Sequence, residues 1–253
     1  MNGNPFSLKG KNILITGASS GIGQKCAIVC SEMGANVILV ARREERLTQT
    51  LSQLTAGNHL MFPFDVTDFA NIEFIIKEAV SKVGLINGFV HSAGMEFTMP
   101  LSSTKPENYD NLFKTNVISA FEFSKILVKK KYSQNLSIVF IASVMSFLGE
   151  VGHTAYCSSK GALIAGCKAM ALELVNKKIR VNTICPAQIR DTEITENMLS
   201  NFTEENKKNK LEMHPLGYGE VSDVAYASVY LLSEASKWVT GTNLIVDGGY
   251  SAK

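Results

Sequence analysis

The chain has 253 residues, 45% hydrophobic and 19% charged, a balance that suits one well-packed globular domain and excludes a disordered or fibrous protein. Its 25 basic and 23 acidic side chains leave a net charge of +2, far from the excess of a dedicated nucleic-acid binder. Five cysteines, Cys26, Cys30, Cys157, Cys167 and Cys185, stand in apolar surroundings without CxxC spacing, which argues against disulfides and zinc and makes a reducing cytoplasm the expected home.

Met1–Lys11 has no continuous apolar stretch, and nothing later reaches 18 apolar residues in a row, so neither a signal peptide nor a membrane span is expected. Short apolar or β-branched runs at Asn12–Thr16, Asn36–Ala41, His59–Asp65, Gly88–His91, Ser137–Ala142, Arg180–Ile184 and Asn243–Val246 read as strands. Between the first six lie amphipathic segments of helical length near Gly21–Glu32, Arg43–Leu54, Phe69–Lys82, Pro106–Lys130 and Thr154–Asn176. That alternation predicts repeated βαβ units in a single-domain, doubly wound α/β Rossmann fold, with a seven-stranded parallel sheet and helices on both faces. No linker, repeat or low-complexity tract divides residues 1–253. The segment Gln188–Pro215, ahead of a last helix near Ser222–Ser233, is long for a connection and is read as a substrate lid; an ordinary solvated helical excursion is the other reading, which the charge run Thr203–Lys210 by itself favours.

The first strand runs into Gly17-Ala18-Ser19-Ser20-Gly21-Ile22-Gly23 and then a helix. Glycine allows a tight bend and a close backbone approach to a pyrophosphate, and the helix start supplies amide donors with a partial positive charge. The spacing is neither GxGxxG nor a nucleoside-triphosphate loop.

Thr16 to Gly23 resembles the TGxxxGxG signature of the short-chain dehydrogenase/reductase family, and Tyr156-Cys157-Ser158-Ser159-Lys160 resembles its YxxxK signature; the likeness continues to Val246-Asp247-Gly248-Gly249. The resemblance implies a nicotinamide dinucleotide at the glycine turn, held by Gly17, Ser19, Ser20, Gly21, Ile22 and Gly23. It implies further contacts from Ser92, Ala93 and Gly94 after the fourth strand, and from Pro186 and Ile189 after the sixth. Asp65-Val66 resembles the family's adenine-edge contact; Asp65 as a cap for the next helix is the other reading.

In such a fold the end of the second strand faces the adenosine ribose, where an arginine accommodates a 2′-phosphate and a carboxylate repels it. Here Ala41-Arg42-Arg43 stands there, so the expected cofactor is NADP(H), with Arg42 as main ligand and Arg43 as a second. For Arg43 the ordinary alternative is an exposed helix start paired with Glu44.

A free tyrosine has a pKa of about 10. Lys160, one helical turn beyond Tyr156, would place an ammonium beside the phenol and lower it. Tyr156 is then the acid toward a carbonyl oxygen, or the base toward an alcohol. Ser143, 13 positions earlier at a strand edge, would hold the substrate oxygen, with Ser146 as its competitor and a turn-forming role as its ordinary alternative. Asn116 would complete the family's tetrad, distorting a helix and holding a water next to Lys160. Lys160 would also donate to the nicotinamide ribose. The four histidines are scattered and read as structural; no metal-ligand spacing is present, so no metal is expected.

Two stretches depart from the family pattern. His91-Ser92-Ala93-Gly94 replaces Asn-Asn-Ala-Gly, and Cys185-Pro186-Ala187-Gln188-Ile189 replaces Asn-Pro-Gly-x-Ile, with Asp191 where a threonine is usual and Thr192 one place later. The expected function is reversible interconversion of a ketone and a secondary alcohol, with 3-oxoacyl-carrier-protein reduction the nearest activity that the family suggests and sugar, steroid or polyol dehydrogenation beside it. Its partners would be a small carbonyl or alcohol substrate, with no nucleic acid and no membrane. A catalytically idle NADP(H)-binding regulator or scaffold is the alternative of a different class. Family likeness at Thr240–Gly249 implies a homotetramer, with Pro106–Lys130 and Thr154–Asn176 at the other interface.

Overall fold

The computed structural model describes residues 3–200 and 202–252. Among these, seven strands form one sheet: β1 (Asn12–Thr16), β2 (Asn36–Ala41), β3 (Leu60–Pro63), β4 (Ile86–His91), β5 (Ser133–Ile141), β6 (Arg180–Pro186) and β7 (Asn243–Val246). All neighbours are parallel, in the order β3-β2-β1-β4-β5-β6-β7. The predicted doubly wound sheet is therefore present. Every residue of β1 is buried, as is β5 from Leu136 onward, because helices cover both faces and leave no wet side for an alternating pattern.

The helices are α1 (Gly21–Glu32), α2 (Glu44–Leu51), α3 (Ile72–Val83), α4 (Pro106–Phe113), α5 (Ser119–Leu127), α6 (Thr154–Leu174), α7 (Glu193–Ser200), α8 (Glu204–Glu212) and α9 (Val221–Leu232). One core layer gathers residues of α3, α5 and α6 against one sheet face, and the other gathers α1 and α9 against the opposite face. In the first layer Phe89 of β4 stacks on Phe123 of α5 with ring centres 5.6 Å apart; burying each such ring stabilises by about 1.5–3 kcal/mol.

Several boundaries differ from expectation. β3 ends at Pro63, two residues early, because Asp65 folds back on Thr67. β5 begins four residues early, where Ser133 pairs with Ile86 before a bulge. Pro106–Lys130 is not one regular helix: a π-turn at Lys114–Ile118 separates α4 from α5, and the helix ends at Leu127. A π-turn adds a residue to the helical register, which hydrophobic periodicity over this length barely senses. The long connection holds two helices, α7 and α8, as the helical reading of it has it.

β1 is flanked by β2 on one side and β4 on the other, so the chain winds away from it in both directions. The crevice that this opens at the carboxyl ends of the strands is where such folds bind ligands.

Candidate active site

A cleft of about 640 Å³ opens at those strand ends. It is lined by Gly17, Ser19, Ser20, Gly21 and Ile22 of the first turn, by Arg42 and Arg43 after β2, and by Asp65 and Val66 after β3. Ser92, Ala93 and Gly94 after β4, Ser143 after β5, Tyr156 and Lys160 on α6, and Pro186 and Ile189 at the end of β6 complete the wall. Two expected residues, Gly23 and Asn116, lie behind it.

The glycines are required by close packing of backbone on backbone. Gly17 has φ +68, and a Cβ there would sit 2.7 Å from the Ala93 amide nitrogen; one on Gly23 would sit 2.3 Å from the Gly17 carbonyl oxygen. The first turn of α1 carries no acidic side chain, and Ser20 at its cap makes no capping hydrogen bond. Its amides thus point to the cleft with their partial charge unmatched by a carboxylate. With Arg42 and Arg43 at the rim, these residues fit a phosphorylated dinucleotide.

Arg43 does not pair with Glu44. Its guanidinium donates to Ser20 Oγ at 3.0 Å, to Ser19 Oγ at 3.3 Å and to Glu193 at 2.8 Å, and Arg46 joins the same Glu193 carboxylate. The glycine turn, the end of β2 and the first residue of α7 are thereby tied together. Arg42 is exposed and acts on Asp65, whose carboxyl lies below the usual range. Burial opposes that shift, but the Thr67 amide at 2.9 Å, the Thr67 hydroxyl at 2.7 Å and the Arg42 charge outweigh it. Asp65 closes an Asx turn on the cleft wall and does not cap α3, which corrects the capping alternative.

Tyr156 and Lys160 project from one face of α6 as their spacing predicts, with Lys160 Nζ 5.8 Å from the Tyr156 ring centre. The electrostatic expectation fails in this structure. Burial pushes the Tyr156 phenol well above its ordinary value; the Glu96 carboxylate adds to the rise, and the Ser143 hydroxyl opposes it. Burial also brings Lys160 down to about 8, and its ammonium donates to the Ile141 carbonyl at 2.9 Å. Desolvation of a charged form exceeds a pair attraction across that separation.

Ser143 starts the short helix Val144–Ser146 and accepts from the Met145 amide at 3.1 Å. It is a turn former and a neighbour of the phenol at once. The Ser146 hydroxyl is buried and has no hydrogen-bond partner among the described residues. Asn116 lies in the π-turn, fully buried. Its side chain accepts from the Met95 amide at 2.8 Å and donates to the Met95 carbonyl at 3.0 Å and to Ser159 Oγ at 3.1 Å. A Cβ on Gly94 would sit 3.3 Å from Asn116 Oδ1 and 3.5 Å from Lys160 Nζ, so the two side chains flank Gly94. After Ile189, Asp191 takes a left-handed φ of 59. Thr192 reaches the cleft instead, donating to the Ile189 carbonyl at 3.2 Å.

Glu96, Glu150 and Lys210 fall in the stretches Met95–Met99, Met145–Val151 and Thr192–Met213 that the sequence offers as pocket lining, whereas His153, His214 and Tyr250 carried no such signal. His153 approaches Tyr156 edge-on and joins Glu96 at 2.9 Å, 57 positions away. Glu150 pairs with Lys210 of α8, and His214 stacks on Tyr250. His153 and His214 thus face the cleft, a correction to reading every histidine as structural. His59 does match that reading, bonding the Val37 amide and the Thr55 carbonyl. His153 and Glu96, Glu150 and Lys210, and His214 and Tyr250 are far apart in the chain, and only the fold brings them together.

A family model described as Enoyl-(Acyl carrier protein) reductase matches residues 17–251. The chain is 35% identical to the 3-oxoacyl-[acyl-carrier-protein] reductase of Mus musculus, over 93% of this chain and 95% of that protein. Two solved structures, both provisionally assigned, superpose over nearly all of their length. One is a short-chain alcohol dehydrogenase from Sinorhizobium meliloti 1021, 30% identical, with a TM-score of 0.93 over 99% of this chain and 100% of that one. The other is a 2-deoxy-d-gluconate 3-dehydrogenase from Agrobacterium tumefaciens with bound NADP, 31% identical, with a TM-score of 0.88 over 99% and 100%.

Proposed function

The chain belongs to the short-chain dehydrogenase/reductase family of oxidoreductases, and from that membership we propose that it is an NADP(H)-dependent enzyme interconverting a ketone and a secondary alcohol. The observation that carries the reading is the gathering of Ser143, Tyr156 and Lys160 on the wall that also holds the glycine turn and Arg42.

When bound, the nicotinamide supplies the hydride. Tyr156 is the proton donor at the substrate oxygen in reduction. The phenol is protonated at neutral pH, as an ordinary tyrosine is, and burial moves it further in that direction, the state that a general acid needs before reaction. Ser143 orients the same oxygen and offsets the charge that develops there. Lys160 stands on the ring side of Tyr156, where the resemblance also assigns it the ribose hydroxyls. Asn116 acts through the backbone: by clamping both polar groups of Met95 it fixes the segment that follows Gly94.

Arg42 and Arg43 would take the 2′-phosphate, and the NADP-bound Agrobacterium neighbour supports that choice. The Mus musculus relative supports a 3-oxoacyl thioester among the candidate substrates. The protein would work in the cytoplasm as one domain with a lid at residues 188–215. It would assemble as a homotetramer, consistent with exposed Leu172 and Val175 near the end of α6 and exposed Trp238 and Ile245 around β7. Among the described residues no helix is long and apolar enough to cross a membrane.

The test is nicotinamide absorbance in the presence of NADPH and a panel comprising an acetoacetyl thioester, a ketose and a cyclic ketone. Consumption of NADPH with at least one ketone is expected, together with its loss in Tyr156→Phe at nearly unchanged NADPH affinity. Binding of NADPH without turnover on any ketone or alcohol would favour the idle-binder reading. Turnover retained in Tyr156→Phe would reject the tyrosine.

A further inference from the structure

His91 ends β4, is 1% exposed, and stands between two elements of the site. Its Nδ1 is 2.9 Å from Thr16 Oγ1 at the end of β1, and its Nε2 is 3.2 Å from Ser119 Oγ at the start of α5. The hydroxyls at the two ends are already committed. Ser119 Oγ–H donates to the Thr115 carbonyl at 2.6 Å, and Thr16 Oγ1 accepts the Ala93 amide at 3.3 Å.

One hydroxyl carries one proton, so the remaining directions follow. Ser119 has given its proton to Thr115 and must accept from the imidazole, which puts the proton on Nε2. Nδ1 is then a lone pair, and Thr16 donates to it while accepting from Ala93. The chain runs one way: Ala93 N–H to Thr16, Thr16 O–H to His91, His91 N–H to Ser119, Ser119 O–H to the Thr115 carbonyl. A proton on Nδ1 alone would set two lone pairs against each other at Ser119.

The last link falls at the register slip. Within the π-turn the Ser119 amide donates to the Lys114 carbonyl, one residue beyond its α-helical partner, and the Ser119 hydroxyl reaches Thr115 in its place. Thr115 is the residue before Asn116.

We propose that His91 is a positioning residue, whose imidazole transmits a one-way chain of hydrogen bonds from the glycine-turn wall at Thr16 and Ala93 to the π-turn, and so fixes the direction in which Asn116 holds Met95. The one-proton state agrees with burial, which with the nearby Lys160 charge brings the imidazole down to about 3. An asparagine in its place is shorter and would not span both hydroxyls.

The kinetic arm rests on the oxidoreductase reading; the spectroscopic arm does not. In protein labelled with 15N-histidine, without cofactor, His91 should show the Nε2–H tautomer with unchanged shifts between about pH 5 and 9. A charged ring or an Nδ1–H tautomer would overturn the proposal. Ser119→Ala, which keeps the core filled, and His91→Leu should each move the Asn116 side-chain amide resonances. Each removes two hydrogen bonds of the chain and should lower kcat by at least about tenfold, with substrate KM changed by less than about threefold. His91→Gln, which keeps a donor toward Ser119, should recover kcat to within about threefold of the parent. Unmoved Asn116 resonances in a folded Ser119→Ala variant refute the proposal even if no ketone is ever turned over. Resonances that move while catalysis fails in the parent protein too would indict the oxidoreductase reading alone.

Discussion

Arg43 and Glu193 meet at 2.8 Å across 150 positions of chain, at the end of the cleft where the glycine turn lies. Both side chains are more than two-fifths exposed, so the pair adds no more than about 1 kcal/mol of stability. Its weight falls on recognition, because the same guanidinium is the one nearest Ser19 and Ser20.

Glu193→Gln should free Arg43 and Arg46 for an anion and remove a negative charge from the cleft rim. Affinity for NADPH is expected to rise by about threefold to tenfold at low salt, with NADH affected less, since only the former carries the extra phosphate. Fluorescence titration with both nucleotides checks this. An equal change for the two would show that the carboxylate does not compete with a 2′-phosphate.

Gly23 lies inside α1, where alanine is ordinarily better by about 1 kcal/mol. The Gly17 carbonyl oxygen, 2.3 Å from where that Cβ would be, reverses the sign. Gly23→Ala should lower stability by about 1–3 kcal/mol and weaken NADPH binding at least as strongly. A melting temperature equal to that of the parent would show that the turn yields freely.

Lys160 is buried and held down to about 8. Its folded value lies below its unfolded value near 10.5, so below about pH 8 the native state bears the cost of a buried cation. That cost is relieved as pH rises from about 8 to 10.5. Lys160→Met should therefore abolish turnover yet raise the melting temperature of the cofactor-free protein at pH 7. The gain should shrink as pH approaches 10.5, and comparing melts of the two proteins across that window also cancels the titration of buried thiols common to both. A variant less stable than its parent at pH 7 would mean that the bond to Ile141 outweighs desolvation.

His153 titrates in the opposite sense. The Glu96 carboxylate and the Val151 carbonyl raise it above its ordinary value, although burial works against them. Its stabilising contribution is complete below about pH 6.5 and is lost as pH rises through the elevated folded value. The melting temperature of the parent should exceed that of His153→Gln most at pH 5.5 and least at pH 9. A difference independent of pH would show that the imidazole stays neutral throughout.

Much of this molecule is written in local pattern. The run from Thr16 to Gly23 states both a strand-to-helix turn and its use, since backbone bending and close approach demand glycine wherever they occur. The parallel sheet is legible in unbroken apolar strands such as Ile138–Ile141, and the tyrosine and lysine share a helix face by spacing alone. The π-turn was legible only through the family resemblance, which implies a helix distorted at Asn116, and not in the hydrophobic pattern, because inserting one residue into a helix changes hydrogen-bond register without changing which side chains are apolar. The direction of the Tyr156 shift was not legible. Spacing places a cation near the phenol but says nothing of how little water reaches either group, and desolvation depends on packing from β5, α6 and the β4 loop at once. The partners of Arg43, His91 and His153 lie on other elements, so their roles were decided by tertiary structure, where distances between residues far apart in sequence are set.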